Sequence, residues 1–362
     1  MKRREFLNAI GAGAATTTVA KPALAQAMPE IKWRLTTSFP KSLDTLHGAA
    51  EIFAKAVAEA TDNKFQIQVF AAGEIVPPFS AADAVQNGTV EACETASYYF
   101  IGKDITFALP TSSPFALNTR MQNAWYYHNR GIDLVNEFYK KYNIFSLPCG
   151  NTGCQMGGWF RNEIRDVSDF NGLKFRAGGF AGRVLAKLGV VGQQIPGGEV
   201  YSALEKGTID AAEWVGPYDD EKLGFYKVAP FYYAPGWWEG AAAIHLFFNI
   251  EKWNSLPPAY KSIVRSAAAM SNMWMTAKYD AENPPALKRM IANGAQVKLF
   301  SPQIMEACLK ASNEVYAEIS AGNPDFKKIW DNMLAFRNQQ YEWWQVAEFS
   351  YDNFMVRSRP RG

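Results

Sequence analysis

Histidine and cysteine are scarce, with three of one and four of the other in 362 residues. His47, His128 and His245 lie far apart in ordinary stretches, and Cys93, Cys149, Cys154 and Cys308 form no CxxC or Cys/His spacing. A zinc centre needs several such ligands at short intervals, so none is expected. A GxSxG elbow, a P-loop and a GxGxxG run after a strand are also missing. An enzyme must place an acid or base on the reacting atom, and apart from a few glutamates no side chains present themselves for that work. No apolar run is long enough to span a membrane. Cys149 and Cys154 bracket Gly150-Asn151-Thr152-Gly153. A local disulfide is open to them if that loop folds back, while two small buried residues is the simpler, preferred reading.

An excess of one charge is lacking as well. The formal net charge of +2 is owed largely to the first residues. There, Arg3-Arg4-Glu5-Phe6-Leu7 is a twin-arginine pattern, Ala9 to Ala20 is weakly apolar, and Ala23-Leu24-Ala25 fits a small-residue cleavage site. The three parts in this order predict a twin-arginine signal peptide over 1–25 and a periplasmic destination. Its removal leaves 33 basic against 34 acidic residues, which gives no reason to expect a nucleic-acid partner.

What is present is material for a core. Hydrophobic residues make up 48% and charged ones 20%, and the length suits two lobes of about 100–200 residues each. Aromatics often come in pairs (Tyr98-Tyr99, Tyr232-Tyr233, Trp237-Trp238, Trp343-Trp344), as pocket walls or as core filling. Ile31 to Thr36 reads as a strand, Asp44 to Thr61 as a helix and Phe65 to Phe70 as a second strand, a βαβ unit that calls for a parallel or mixed sheet. Further strands are expected at Phe145–Pro148, Gly157–Phe160, Leu173–Arg176 and Ile244–Ile250, and helices at Asp133–Tyr142 and Trp253–Ala277. The tail from Phe326 to Val356 reads as one long helix with a stripe at Trp330, Leu334, Tyr341, Trp344, Tyr351 and Met355. That stripe either lies across both lobes or makes a dimer contact.

One internal match organises the rest. Ala84-Val85-x-x-Gly88-Thr89-Val90-Glu91-Ala92 parallels Ala203-Leu204-x-x-Gly207-Thr208-Ile209-Asp210-Ala211 at a constant offset of 119 residues, which carries Glu94 onto Glu213. The match predicts two α/β lobes, each ending a helix-turn-strand unit beyond the carboxyl ends of strands, where ligands bind. The expected layout is lobe 1 over 26–150, lobe 2 over 151–245, a return to lobe 1 and hinge over 246–325, and the terminal helix over 326–362.

Arg176 ends a short strand before Ala177-Gly178-Gly179. A guanidinium fork matches a carboxylate, and glycines let backbone approach a ligand; a surface salt bridge is the competing reading. Glu213 follows a mostly apolar run, and a carboxylate buried there must be paired or bound to a cation. Glu239 sits in Pro235-Gly236-Trp237-Trp238-Glu239-Gly240, and Gln155 offers a neutral oxygen, although it equally suits a satisfied core amide. Two carboxylates with amide or backbone oxygens would make a hard-cation site, favouring sodium or calcium over zinc.

The run Asp169 to Arg176, with Gly198 to Ala211, resembles the DctP-type solute receptors of tripartite ATP-independent periplasmic (TRAP) transporters. Ala96-Ser97-Tyr98-Tyr99, Gly150-Asn151-Thr152-Gly153, Gln155 to Arg161 and Ala212 to Asp220 resemble the branch that binds 2-oxoacids and lactate. The resemblance implies a two-lobed clamshell of mixed sheets with hinge connections and a long C-terminal helix. It implies that Arg176 pairs with the carboxylate of a small 2-oxo- or 2-hydroxymonocarboxylate. Gln155, Glu213, the Trp214 carbonyl and Glu239 would surround a sodium or calcium ion, with Asn151 and Tyr99 as further polar contacts. The branch delivers its ligand to membrane subunits and dimerises through the C-terminal helix. The Cys149/Cys154 pair departs from its pattern. Two alternatives stand beside this receptor: a metal-dependent enzyme acting on 2-oxoacids, and an exported ligand sensor.

Overall fold

The computed structural model describes residues 28–359, so the signal-peptide reading over 1–25 lies outside the described residues. Two mixed sheets form the frame. The first contains β1 (Ile31–Thr37), β2 (Phe65–Phe70), β3 (Ala92–Thr95), β4 (Ile144–Asn151) and β10 (Ala243–Asn249), in the order β2-β1-β3-β10-β4. The second contains β5 (Gly158–Phe160), β6 (Lys174–Arg176), β7 (Val191–Gln193), β8 (Ala211–Ala212), β9 (Phe231–Ala234) and β11 (Gln296–Leu299). Its order is β11-β9-β5-β8-β6-β7. The chain crosses between the sheets after β4, returns after β9, and crosses again through the helix Pro258–Ala292. That helix packs on Leu46–Ala60 and β4 on one side and on Pro217–Leu223 on the other.

Local patterning explains the elements. Leu46–Ala60 buries Leu46, Ala49, Ala50, Phe53 and Val57, a single helical face set against the first sheet. β2 is Phe-Gln-Ile-Gln-Val-Phe, with Phe65 and Ile67 buried and the glutamines exposed. The repeat is structural as well as textual. Gly88 and Gly207 both take left-handed backbone, at φ +73° and +70°, closing helices Ala81–Gln86 and Gly197–Glu205. Beyond them, Thr89 N donates to the Ala84 carbonyl at 2.8 Å and Thr208 N to the Ala203 carbonyl at 2.9 Å. Each chain then enters a strand, β3 or β8, flanked by one parallel and one antiparallel neighbour.

Two helices differ from expectation. Trp253–Ala277 is instead Ile250–Ser255, a break at Leu256-Pro257, and Pro258–Ala292. The second helix runs through Pro284 and Pro285, whose missing N–H groups forfeit local bonds, because Tyr279, Ala286 and Met290 bury its far half. The terminal helix is two, Pro324–Val346 and Glu348–Ser358, divided at Ala347 (φ −93°, ψ −88°). Among the described residues no helix is long and apolar enough to cross a membrane.

Candidate functional site

Arg176 closes β6 opposite Ala212 of β8, which carries its side chain to the carboxyl ends of the second sheet's parallel strands. Only 1% of it is exposed. Nε donates to the Ile195 carbonyl at 3.1 Å, and Nη1 donates to the Glu213 carbonyl and to Glu213 Oε2, the latter at 3.3 Å. Nη2 is buried with no partner. The guanidinium carbon lies 4.8 Å from the centre of the Trp214 ring, so the indole supports the positive charge from one side.

Three further loops converge here. Gln155 N donates to the Glu239 carbonyl at 3.0 Å, and Gly236 N donates to the Gln155 carbonyl at 2.9 Å. Met156 N donates to the Val215 carbonyl at 3.1 Å. These backbone bonds tie the segments bearing Gln155, Glu213–Trp214 and Glu239 into one cradle. Each segment leaves a buried side-chain oxygen without a partner: Gln155 Oε1, Glu213 Oε1 and Glu239 Oε2. The Trp214 carbonyl accepts no backbone hydrogen bond from any described residue.

Charge shows the same incompleteness. Burial pushes the Glu213 carboxyl up, with Arg176 pulling it back and Asp220 adding repulsion. Burial raises Glu239 well above the carboxylate range, and the nearby Glu213 raises it further. One guanidinium faces two carboxyl groups in a dry site, so full ionisation leaves a negative charge uncompensated. Orphaned oxygens and surplus negative charge fit a hard cation, and the orphaned Nη2 fits an added carboxylate.

A small cleft adjoins these groups, lined by Tyr98, Tyr99, Gln155 and Trp214 and by apolar side chains including Leu46 and Val215. It lies between the lobes. Tyr99 faces Arg176, and burial pushes its hydroxyl up to about 12. Asn151, at the end of β4, is already engaged: Nδ2 donates to Gln122 Oε1 at 2.7 Å, and Oδ1 accepts from Gly153 N at 3.1 Å. The glycines after Arg176 admit the ring of Tyr98. A Cβ on Gly178 would meet that ring at 2.3 Å.

Tyr98, on the first lobe and beside Glu239, was not a sequence candidate, although the paired tyrosines marked its position. Asp220 was quoted within a motif without a role, and nothing local reveals its burial. The histidines stand apart from this group. His245, hydrogen-bonded to Ser146 and held near 4 by burial, fills the first lobe's core. Cys149 is buried and Cys154 exposed, both as free thiols.

Residues 37–323 match the family described as bacterial extracellular solute-binding protein, family 7. A monocarboxylate 2-oxoacid-binding periplasmic protein of Nostoc sp. is 46% identical, over 99% of this chain and all of that protein. A TRAP transporter solute-binding protein from Bordetella bronchiseptica superposes with a TM-score of 0.90 at 50% identity, covering 91% of this chain and 98% of that one. It is a mixed-occupancy dimer with copurified calcium and picolinate in one active site. A TRAP periplasmic solute-binding protein from Pseudoalteromonas atlantica, with bound sodium and pyruvate, has a TM-score of 0.87 at 35% identity, covering 91% of this chain and all of that one.

Proposed function

The chain belongs to bacterial extracellular solute-binding protein family 7, and on that premise we propose that it captures a small 2-oxomonocarboxylate together with a metal ion. It is a solute receptor of TRAP transport and not an enzyme. The observation that carries the proposal is the set of buried, unpartnered atoms around Arg176. Nη2 lacks an acceptor while Gln155, Glu213 and Glu239 each hold an oxygen with no donor. A ligand carboxylate on Arg176 satisfies the first. Sodium or calcium held by Gln155, Glu213, Glu239 and the Trp214 carbonyl satisfies the rest, and supplies charge that the ligand's oxygens also meet. Tyr99 borders the same space, and Asn151 shapes the loop that presents Gln155. The relatives that bind pyruvate with sodium, or picolinate with calcium, support this reading.

Because Arg176, Glu213, Glu239 and Gln155 are all buried, ligand enters only when the lobes part. The captured acid is then delivered to TRAP membrane subunits after export by the twin-arginine signal. Isothermal titration of pyruvate in sodium-free buffer, with and without added calcium or sodium, tests the site, with tight binding expected only when a cation is present. Equal binding after chelation in sodium-free buffer would remove the cation from the reading.

The terminal helices add a second copy as a partner. Trp330 is buried on the body of the protein, but Trp343, Val346, Phe349, Tyr351 and Phe354 are each more than half exposed. An apolar face of this extent calls for a cover, and the dimeric Bordetella protein favours another copy of this chain. Light scattering on the intact chain is expected to give twice the chain mass, and the single-chain mass after removal of residues 347–362.

A further inference from the structure

Asp220 is a carboxylate at 1% exposure, far from solvent, on the helix Pro217–Leu223. Burying such a group is costly unless donors converge on it. Three do. Trp159 Nε1 donates to Oδ2 at 2.9 Å and the Tyr232 hydroxyl donates to the same oxygen at 2.7 Å, while Val215 N donates to Oδ1 at 3.4 Å. Trp159 and Tyr232 are stacked, with ring centres 3.8 Å apart and planes at 11°.

The three donors lie on three separate segments. Trp159 lies in the strand that follows Gln155, Val215 follows Glu213-Trp214, and Tyr232 lies on the strand leading to Glu239. These segments carry every proposed cation ligand. We propose that Asp220 is a positioning residue for the cation site, its carboxylate pinning the three ligand-bearing segments in register. The proposal rests on the cation reading above and assigns it a support that touches neither cation nor acid. Neighbouring Asp219, equally buried, accepts instead from the Tyr279 hydroxyl at 2.7 Å on the helix Pro258–Ala292, and grips none of the three segments.

The chemistry of the amide makes a selective test. In Asp220→Asn one oxygen remains for Trp159 and Tyr232, and the new NH2 faces the Val215 N–H, donor against donor. Calcium alone is titrated calorimetrically into wild type, D220N, D219N and Y232F, with folding checked by circular dichroism and thermal melting. D220N is expected to lose about 10–100-fold in calcium affinity, as outer partners of metal ligands typically do. D219N is expected to bind calcium as wild type does even where its melting temperature falls. If D220N does not fold, Y232F, which deletes one donor from Oδ2, carries the test and is expected to weaken calcium binding.

Calcium affinity equal to wild type in folded D220N, or in Y232F where D220N fails to fold, overturns the positioning role and leaves the cation site standing. Loss in D219N as large as in D220N overturns it too, since the effect would then be general loosening. Should wild type itself bind no calcium, and no sodium in a parallel titration, the cation reading fails, and the role given to Asp220 falls with it.

Discussion

Glu94 and Glu213 occupy equivalent places in the two sheets and lead different lives. Each comes after a helix and a left-handed glycine, Glu94 within and Glu213 just past a strand with one parallel and one antiparallel neighbour. The residue paired one step earlier differs. In the second sheet Arg176 lies opposite Ala212, and in the first Thr36 lies opposite Cys93. Glu213 therefore meets a guanidinium at 3.3 Å, whereas Glu94 is fully buried with neither oxygen hydrogen-bonded. Burial, with some repulsion from Glu51, raises the Glu94 carboxyl well above the usual range. One architecture thus yields an arginine-paired carboxyl in one lobe and an unpartnered core carboxyl in the other. The paired position, Arg176 against Thr36, is one part of that difference.

The largest test of that contrast removes the arginine. Arg176→Ala is expected to weaken pyruvate binding by about 2–5 kcal/mol, as for truncation of a buried, paired charge, while Thr36→Ala leaves it unchanged. Calorimetry on both variants decides it, and an Arg176→Ala protein that binds like wild type would sink the assignment.

Next is pH. The folded-state carboxyl of Glu94 is raised above its unfolded value, so its contribution to stability is complete below the unfolded value and is lost as pH rises through the folded one. Wild type should lose stability towards alkaline pH faster than Glu94→Gln, by about 1–3 kcal/mol once the unpartnered carboxylate is ionised. Parallel melting curves from pH 5 to pH 10 would show the idea to be wrong.

The smallest effect concerns what joins the lobes. Asp44, between β1 and the helix Leu46–Ala60, accepts from Lys278 at 2.7 Å, from the Tyr218 hydroxyl at 3.1 Å and from Lys222. Burial alone would raise its carboxyl, but the two lysines hold it near 2. The group is partly exposed, so each pair is worth only about 0.2–1 kcal/mol. Asp44→Ala should speed ligand release a few-fold in stopped-flow measurements, with the difference fading in high salt.

Much of the frame was legible in order along the chain. The alternation in Phe65–Phe70 and the helical spacing of Leu46 to Val57 are local properties, and they predicted β2 and the first helix closely. The division of the terminal helix at Ala347 was not legible, because its apolar stripe continues through the break. The Pro258–Ala292 helix exceeded its forecast because burial of its far half outweighs the prolines, and burial is not written in a proline's neighbours. In the site, Arg176, Gln155, Glu213 and Glu239 were nominated from chemistry and do meet. Asn151 was offered only as a further polar contact implied by the family resemblance, and its amide is engaged by Gln122.

Taken alone, the amino-acid sequence determined most of the early elements, the 119-residue repeat and the pair of lobes, since periodicity and glycine backbone preference act over a few residues. Only the tertiary structure decided which oxygens stay unpartnered, that Tyr98 crosses to Glu239, and that Asp220 joins three segments. Those facts depend on burial and on charges brought together from distant parts of the chain. Desolvation and Coulomb energy are set by such neighbours in space, whatever their distance in sequence.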